Sequence, residues 1–518
     1  MILLSNGMLS VLSKRAGNSL CRRKHFNICS YYQDSSQRFI NAIQINSYIH
    51  PHRHSILLEV RKTLLTLMKL KNFPLGHQKR GLSWARVFLK SVINIPRLIQ
   101  FFYYVICKVK KRVLIITQWF DPEPTFKGLL FSKELVARGF DVEVITGFPN
   151  YPGGKLYEGY RIKLFQKEMI EGVSITRVPL FPSHDKSKLG RIANYISFSF
   201  SSLIYGLFFA RRPDVIYAYH PPLTVSVSAL IIKLFRRVPV VLDIQDMWPD
   251  TLRATGMLSN SRLLGFISSI CNVIYSFVTK IVVLSPGFKN LLIERGVPDS
   301  KIEIVYNWAD EELLRNVTGE MPEKISNLEG FKILFAGNVG KAQSLNVILD
   351  AAHLLKDEAL KIHFLVLGQG LELDDLKIRA NQLNLNNVHF LPAVLMEKVG
   401  DFLGSADALL IHLNSDPLFE ITIPGKTQAY MAVGKPIIMG VNGDASNLVL
   451  RADCGICFEP ENSVALAKAV KALMLLDPTD IHRLGKNAER FYDENLSVKV
   501  GVDSFEKVFN EVIDFGQR

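Results

Sequence analysis

From residue 112 nearly to its end, the chain alternates short apolar runs with amphipathic stretches. No other feature constrains the fold as much. "VLIITQWF" (113–120), "DVEVITGFP" (141–149), "DVIYAYH" (214–220), "PVVLDIQD" (239–246) and "KIVVLS" (280–285) have the length and apolar density of buried strands. "GLLFSKELVARGF" (128–140) has helical spacing and is closed by Gly139. A second series starts at "KILFAGN" (332–338) and continues through "KIHFLVLGQG" (361–370), "NVHFLPAV", "ALLIHLN", "KPIIMGVNG" and "CGICFE". Strands alternating with helices pair in parallel and are covered on both faces. Two such series predict an α/β chain with two doubly wound, Rossmann-like domains facing a cleft. The expected boundaries are a basic extension over 1–110, a first domain over 111–308, a linker over 309–330 and a second domain over 331–495. A terminal helix over 496–518 is expected to pack back on the first domain.

The formal net charge of +14 is concentrated at one end. Residues 1–110 hold 18 Lys and Arg against 2 Asp and Glu, a net of +16. That leaves 44 basic and 46 acidic residues for the rest, a net of −2. The basic residues are diluted among aliphatics without a zinc, helix-turn-helix or RNP signature, so nucleic-acid binding is the less favoured class. Within 83–112, Arg86, Lys90, Arg97, Lys108, Lys110, Lys111 and Arg112 are spaced among apolar and aromatic residues. Such a segment lies on anionic lipid, docks on the protein's own surface, or is a poorly ordered extension. Residues 192–210 and 263–279 carry no charge and approach spanning length. Each runs directly into a βα strand, so both read as helices of the first domain, with room for one to face lipid. In "MILLSNGMLSVLSKRAG" the charges follow the apolar run, the reverse of a secretory leader, and no signal peptide is expected. Cys454 and Cys457 form a C-x-x-C with no second ligand pair and read as core residues of a strand.

Ligands of open parallel sheets bind beyond the C-terminal ends of the strands. The tips here are "FDPEPTFKG", "GFPNYPGG", "HPP", "DIQDMWPD", "SPGF" and "NWAD" in the first series. In the second they are "GNVGKAQSL", "GQG", "NSDPLFE" and "TIPGK". In "ITIPGKTQAYMAVGKP" (421–436), Pro424 and Gly425 turn the chain and Lys426 opens a helix that ends at Gly434. A lysine has the wrong charge for a helix N-terminus. An anion shared by the ammonium and the helix N–H groups resolves the conflict, and a diphosphate fits. A solvated lysine at a loop end is the alternative. Gly337, Asn338, Gly340 and Lys341 form a second candidate phosphate loop.

"FDPEP", "GFPNYPGGKLYEGY", "DIQDMWPD", "AGNVGKAQSL" and "IPGKTQAYMAVGKP" together resemble family 4 retaining glycosyltransferases of GT-B fold. Within them, the strings are similar to the bacterial group named as L-fucosaminyl transferases of O-antigen and capsule clusters. The resemblance spans about 112–515. It implies transfer, with retention, of an N-acetylated amino or deoxy hexose from a nucleotide sugar, a UDP-sugar first among them. The implied acceptor is a polyprenyl-diphosphate-linked saccharide. No metal or cofactor is implied, and the enzyme would be cytoplasmic, peripheral on the inner face of the plasma membrane. By position, Gly128 would approach the diphosphate and His220 the reacting sugar. Asn338 and Gln343 stand where the family has Arg and Lys, which leaves the phosphates to Lys341, Lys426 and the turns at Gly337 and Gly425. Glu420 lies within one residue of the family's sugar-binding Glu, and Ala429 replaces its ribose-binding Glu. Asp246 and Asp250 flank Trp248 on the acceptor side, where either would position or deprotonate the acceptor hydroxyl. Helix capping is the alternative for Asp250. A nucleotide-sugar 2-epimerase shares this architecture and donor but needs no acceptor.

Overall fold

The computed structural model describes residues 110–183, 188–254, 256–317, 323–356 and 361–516. All of the extension but its last residue, and with it almost all of the basic amphipathic segment, lies outside the described residues.

The first sheet contains β1 (Arg112–Ile116), β2 (Asp141–Gly147), β3 (Gln166–Ile170), β4 (Val173–Val178), β5 (Val215–His220), β6 (Val240–Ile244), β7 (Lys280–Val283) and β8 (Ile302–Ile304). Its order is β3-β4-β2-β1-β5-β6-β7-β8, and every pairing is parallel except that of β3 with β4. Sequence periodicity reveals neither the β3–β4 hairpin nor β8. β3 is a polar edge strand and β8 has only three residues, so neither presents an apolar run.

Side chains of a strand alternate between faces, and β1 shows what covers each face of the sheet. Val113 and Ile115 pack with Phe131 and Leu135 of α1 (Leu129–Ala137). Leu114 and Ile116 belong to a core shared with α2 (Lys188–Phe208), α3 (Leu223–Arg236) and α4 (Ser261–Phe277). The two long uncharged stretches thus become α2 and α4. Among the described residues, no helix is long and apolar enough to cross a membrane. β7 leads into α5 (Pro286–Glu294), whose first turn is capped by Ser285 Oγ accepting from Phe288 N.

The second sheet has β9 (Phe331–Ala336), β10 (Ile362–Leu367), β11 (Val388–Leu391), β12 (Ala408–His412), β13 (Ile437–Gly440) and β14 (Gly455–Cys457). It is parallel throughout, in the order β11-β10-β9-β12-β13-β14. This is a doubly wound sheet with its switch point between β9 and β12; the first sheet switches between β1 and β5. Around the second sheet run α6 (Asn346–Leu355), α7 (Gly425–Val433) and α8 (Pro478–Asn495). Cys454 and Cys457 border and end β14 as free thiols.

The last helix, α9 (Val498–Gly516), lies on the α1 side of the first sheet. Its Phe505 ring stands 5.0 Å from Phe131, 5.5 Å from Tyr217 and 6.2 Å from Trp308. The two sheets' layers also meet directly. Ser285 Oγ donates to Ile421 O at 2.5 Å, and Gly287 N donates to Asp444 Oδ2 at 2.7 Å. A Cβ on Gly287 would stand 2.4 Å from Cβ of Ile421, so only glycine permits this approach.

Candidate active site at the strand tips

The residues after β9 and before α7 come together. Gly337 follows β9 with φ 133, a backbone region nearly closed to other residues. A Cβ there would lie 2.6 Å from Cε and 3.1 Å from Nζ of Lys426, so the lysine stem rests on the bare glycine. Lys426 sits in the first turn of α7, not in a loop, and its Nζ lies 3.6 Å from the Phe335 ring centroid. Among the described residues no carboxylate pairs with it, and burial lowers its pKa to about 7. α7 ends at Gly434 in the left-handed conformation, as the sequence predicts. A partly desolvated, unpaired ammonium at a helix N-terminus is poised for an anion.

The rest of the second candidate loop is braced internally. Gln343 Oε1 accepts from Gly340 N at 3.1 Å and from Asn338 Nδ2 at 3.2 Å. His412, at the end of β12, holds Gln343 from below. Its Nε2 accepts from Glu461 N at 2.9 Å, so Nδ1 carries the proton donated to Gln343 O at 2.7 Å. Gln343 therefore shapes the loop, while Asn338 and Lys341 stay exposed. The "GQG" tip is packing: Cβ atoms on Gly368 and Gly370 would lie 1.9 Å from Gly337 O and 2.1 Å from Val339 O. Glu420 is exposed at the end of the one-turn helix Pro417–Glu420, and Gly443 packs on its backbone. Gly425 meets the first domain, since a Cβ on it would lie 2.7 Å from Phe126 Cζ.

On the first sheet, His220 ends β5 at the switch point. It is buried, neither ring nitrogen reaches a partner beyond its own residue, and burial lowers its pKa to about 4. Trp248 meets it edge to face at 5.7 Å between ring centroids. Asp246, beyond β6, has its pKa raised to about 6 by burial alone. Its charge acts on the phenols of Tyr151, Tyr195 and Tyr219. Two expected roles change here. Asp250 forms an ion pair with Arg295, with Arg253 at 3.8 Å, so its carboxylate is neither a helix cap nor free for an acceptor. Gly128 does begin α1, but the N–H of Leu129 already donates to Asp121 Oδ2 at 2.6 Å. A Cβ on Gly128 would collide with that carboxylate at 2.1 Å, so the glycine makes room for Asp121.

Sequence reasoning missed the buried polar chain beneath the site. Lys127 Nζ donates to Asn307 Oδ1 at 2.6 Å and lies 3.7 Å from the Trp308 ring centroid. Asn307 Nδ2 donates to Gln245 Oε1 at 2.6 Å, Gln245 Nε2 to Asp243 Oδ1 at 2.6 Å, and Tyr217 Oη to Asp243 Oδ2 at 2.5 Å. Burial lowers the Lys127 pKa to about 8, while the Asp243 charge raises it. The chain ties the tip after β1 to the residue before Asp246. Glu123 makes a parallel tie, accepting from Asn150 N and Tyr151 N at 2.7 Å each. Lys127 and Asn307 both lie inside quoted tips, in "FKG" and "NWAD", but composition alone does not single them out.

Known proteins share this organisation. Residues 129–308 match the glycosyl transferase 4-like domain and 318–491 the glycosyl transferases group 1 domain; residues 4–65 match a domain of unknown function, DUF6016. A relative from Escherichia coli (strain K12), named as the colanic acid biosynthesis glycosyl transferase WcaI, is 27% identical over 387 residues. The match covers 70% of this chain and 92% of that protein. Glycosyltransferase WbjE of Pseudomonas aeruginosa, so named, is 25% identical, with 63% and 82% covered. Among solved structures, Anabaena HepE in complex with UDP superposes with a TM-score of 0.57 at 16% identity, covering 77% of this chain and all of that one. Sucrose-phosphate synthase from Thermosynechococcus elongatus gives 0.60 at 14% identity, covering 78% of this chain and all of that one. These likenesses bear out the expected GT-B fold. The chain belongs to the glycosyltransferases, with a 4-like domain followed by a group 1 domain.

Proposed function

We propose that the chain transfers a sugar with retention from a nucleoside diphosphate sugar to a lipid-linked saccharide, in the assembly of a bacterial surface polysaccharide. The observation that carries the donor half is Lys426, an unpaired, partly buried ammonium at the start of α7 against Gly337. A diphosphate there would meet the ammonium and the first N–H groups of the helix. Negative charge that builds on the leaving diphosphate is then met by donors fixed in advance, the term expected to matter most. UDP is the first nucleotide to test, because structures sharing the fold hold UDP and UDP-glucose. Names of the relatives support the polysaccharide assignment.

In this reading His220 donates to or accepts from a sugar hydroxyl, which would satisfy ring nitrogens otherwise buried without partners. Asp246, desolvated among three phenols, holds the acceptor hydroxyl and takes its proton. An N-acetylated amino or deoxy hexose, the L-fucosaminyl group included, is the sugar expected, and no metal is assigned a role. The enzyme would work at the cytoplasmic face of the membrane. The test is turnover of a nucleotide-sugar panel with and without a short lipid-linked saccharide, with product anomers read by proton NMR. Acceptor-dependent release of the nucleotide with an unchanged anomer supports the proposal. Turnover that ignores the acceptor and inverts C2 of the sugar would make the chain an epimerase.

A further inference from the structure

One face of the first domain differs from the rest of the molecule. α2, α3 and α4 form the layer over Leu114 and Ile116, and not one Asp or Glu occurs within them. α9, on the opposite face of the same sheet, carries Asp503, Glu506, Glu511 and Asp514. α2 buries Asn194, Phe198, Ser202, Tyr205 and Gly206. Its small residues admit α3 closely: Ser202 Oγ and Ser228 Oγ are 3.3 Å apart, and a Cβ on Gly206 would lie 2.4 Å from Ile232 Cδ1. Outward, Ile192, Ile196, Phe200, Ile204 and Phe208 repeat every fourth residue. That spacing makes one continuous ridge along a helix. Phe200 is 65% and Phe208 72% exposed. Leu234 of α3 and Phe266 and Phe277 of α4, all three well exposed, add apolar side chains to the same helix layer. Single exposed apolar residues are ordinary, but a five-residue ridge on α2 with further exposed aromatic and aliphatic side chains on the other two helices of the layer marks an interaction surface.

We infer that this α2–α3–α4 face docks on an anionic lipid surface. Its charge selects that occupant. Arg212, Arg237 and Arg262, beside or at the ends of these helices, are exposed, with no acid inside the layer to oppose them. A second copy laid on the same face would bring these cations against each other. Anionic headgroups match the cations, and acyl chains receive the ridge. The ridge also starts at the proposed acceptor pocket. Ile192 and Ile196 bracket Asn194 and Tyr195. The Tyr195 phenol responds to Asp246, and Asn194 Nδ2 donates to Asn150 Oδ1 at 3.3 Å. A docked α2 would place that pocket at the height of the headgroups, where a lipid-borne saccharide is presented.

This inference rests on the lipid-linked acceptor of the proposed function, so its test uses vesicles that contain no saccharide. Full-length protein is floated with vesicles of phosphatidylglycerol and phosphatidylcholine, and with phosphatidylcholine alone. The comparison variant is the triple substitution Phe200→Ser, Phe208→Ser, Phe266→Ser, whose thermal midpoint and UDP binding should match wild type because all three side chains face outward. Wild type should float with the anionic vesicles only, and the triple variant should bind them at least about tenfold more weakly, roughly the loss of one or two buried aromatic side chains. Undiminished flotation of the variant would assign attachment to the extension and overturn the inference. So would a wild type that ignores anionic vesicles, or light scattering in which wild type is a dimer and the variant a monomer. Transfer to a water-soluble saccharide tests the acceptor separately.

Discussion

Three titratable side chains at the strand tips lack the partner that their burial calls for, and each deficit has a different sign. Lys426 is a cation without an anion, Asp246 an acid without a base, and His220 an imidazole with both nitrogens idle. His220, lowered to about 4, stays neutral through the working range and adds no pH dependence there. His220→Ala should cut transfer by about a hundredfold, the scale of one displaced polar contact in a transition state. UDP affinity should stay within about twofold; an equal loss in both would show that the residue only holds the nucleotide loop. Asp246, raised to about 6, acts as a base only when ionised, so kcat/KM should fall about tenfold per pH unit below that value. Asp246→Asn should abolish that limb together with most of the activity. Linkage gives the opposite sign for stability. The folded-state pKa lies above the unfolded one, so ionisation weakens the fold as pH rises from about 4 to about 6. Asp246→Asn should therefore melt no lower than wild type at pH 7, and a lower melting point would point to an unseen partner for the carboxylate.

At the scale of elements, the loop after β9 and the tip after β1 are held in different ways. The first depends on bare backbone: Gly337→Ala would add both a strained φ and a 2.6 Å clash with the Lys426 stem. We expect a loss of about 1–3 kcal/mol in urea melts and weaker UDP binding, because the lysine must move. The second depends on buried polar bonds. Lys127→Met would leave the Asp243 charge unopposed and Asn307 short of a donor, for about 3–5 kcal/mol of destabilisation. A wild-type urea midpoint in Lys127→Met would mean that Asp243 is neutral in the native protein. These two cases also show what the sequence makes legible. α7 is readable from its own residues: Pro424 and Gly425 before it, Gly434 after it, and a lysine whose charge conflicts with its place. The β-strand pattern is readable for the same local reason. Asp250 is not, because the residue that claims its carboxylate is Arg295, on another helix end. Lys127 is not, because its partners Asn307 and Trp308 follow β8, 180 residues further along the chain. The bracing of Gln343 is not legible either, because its backbone carbonyl is held by His412 from β12 while its side-chain oxygen accepts from Gly340.

Over the whole molecule, the two domains share one apolar core cluster, and glycines let their backbones approach closely at a seam beside it. Phe126 meets Gly425, Gly287 meets Ile421, and Ser285 donates to a carbonyl of the other domain. A nucleotide held on α7 would then face His220 and Asp246 from the opposite side of the seam. The central claim is that Lys426 at the head of α7 receives the diphosphate. Calorimetric titration of the full chain with UDP, repeated in buffers of different ionisation enthalpy, tests it most directly. Burial lowers the free lysine to about 7, and an anion beside it restores the charged form. At pH 8, where the terminal phosphate of UDP is already ionised, binding should therefore take up close to one proton. Lys426→Met should lose the uptake and about tenfold or more of the affinity. Binding by Lys426→Met as tight as wild type, or a wild-type titration with no proton uptake at pH 8, would contradict the account.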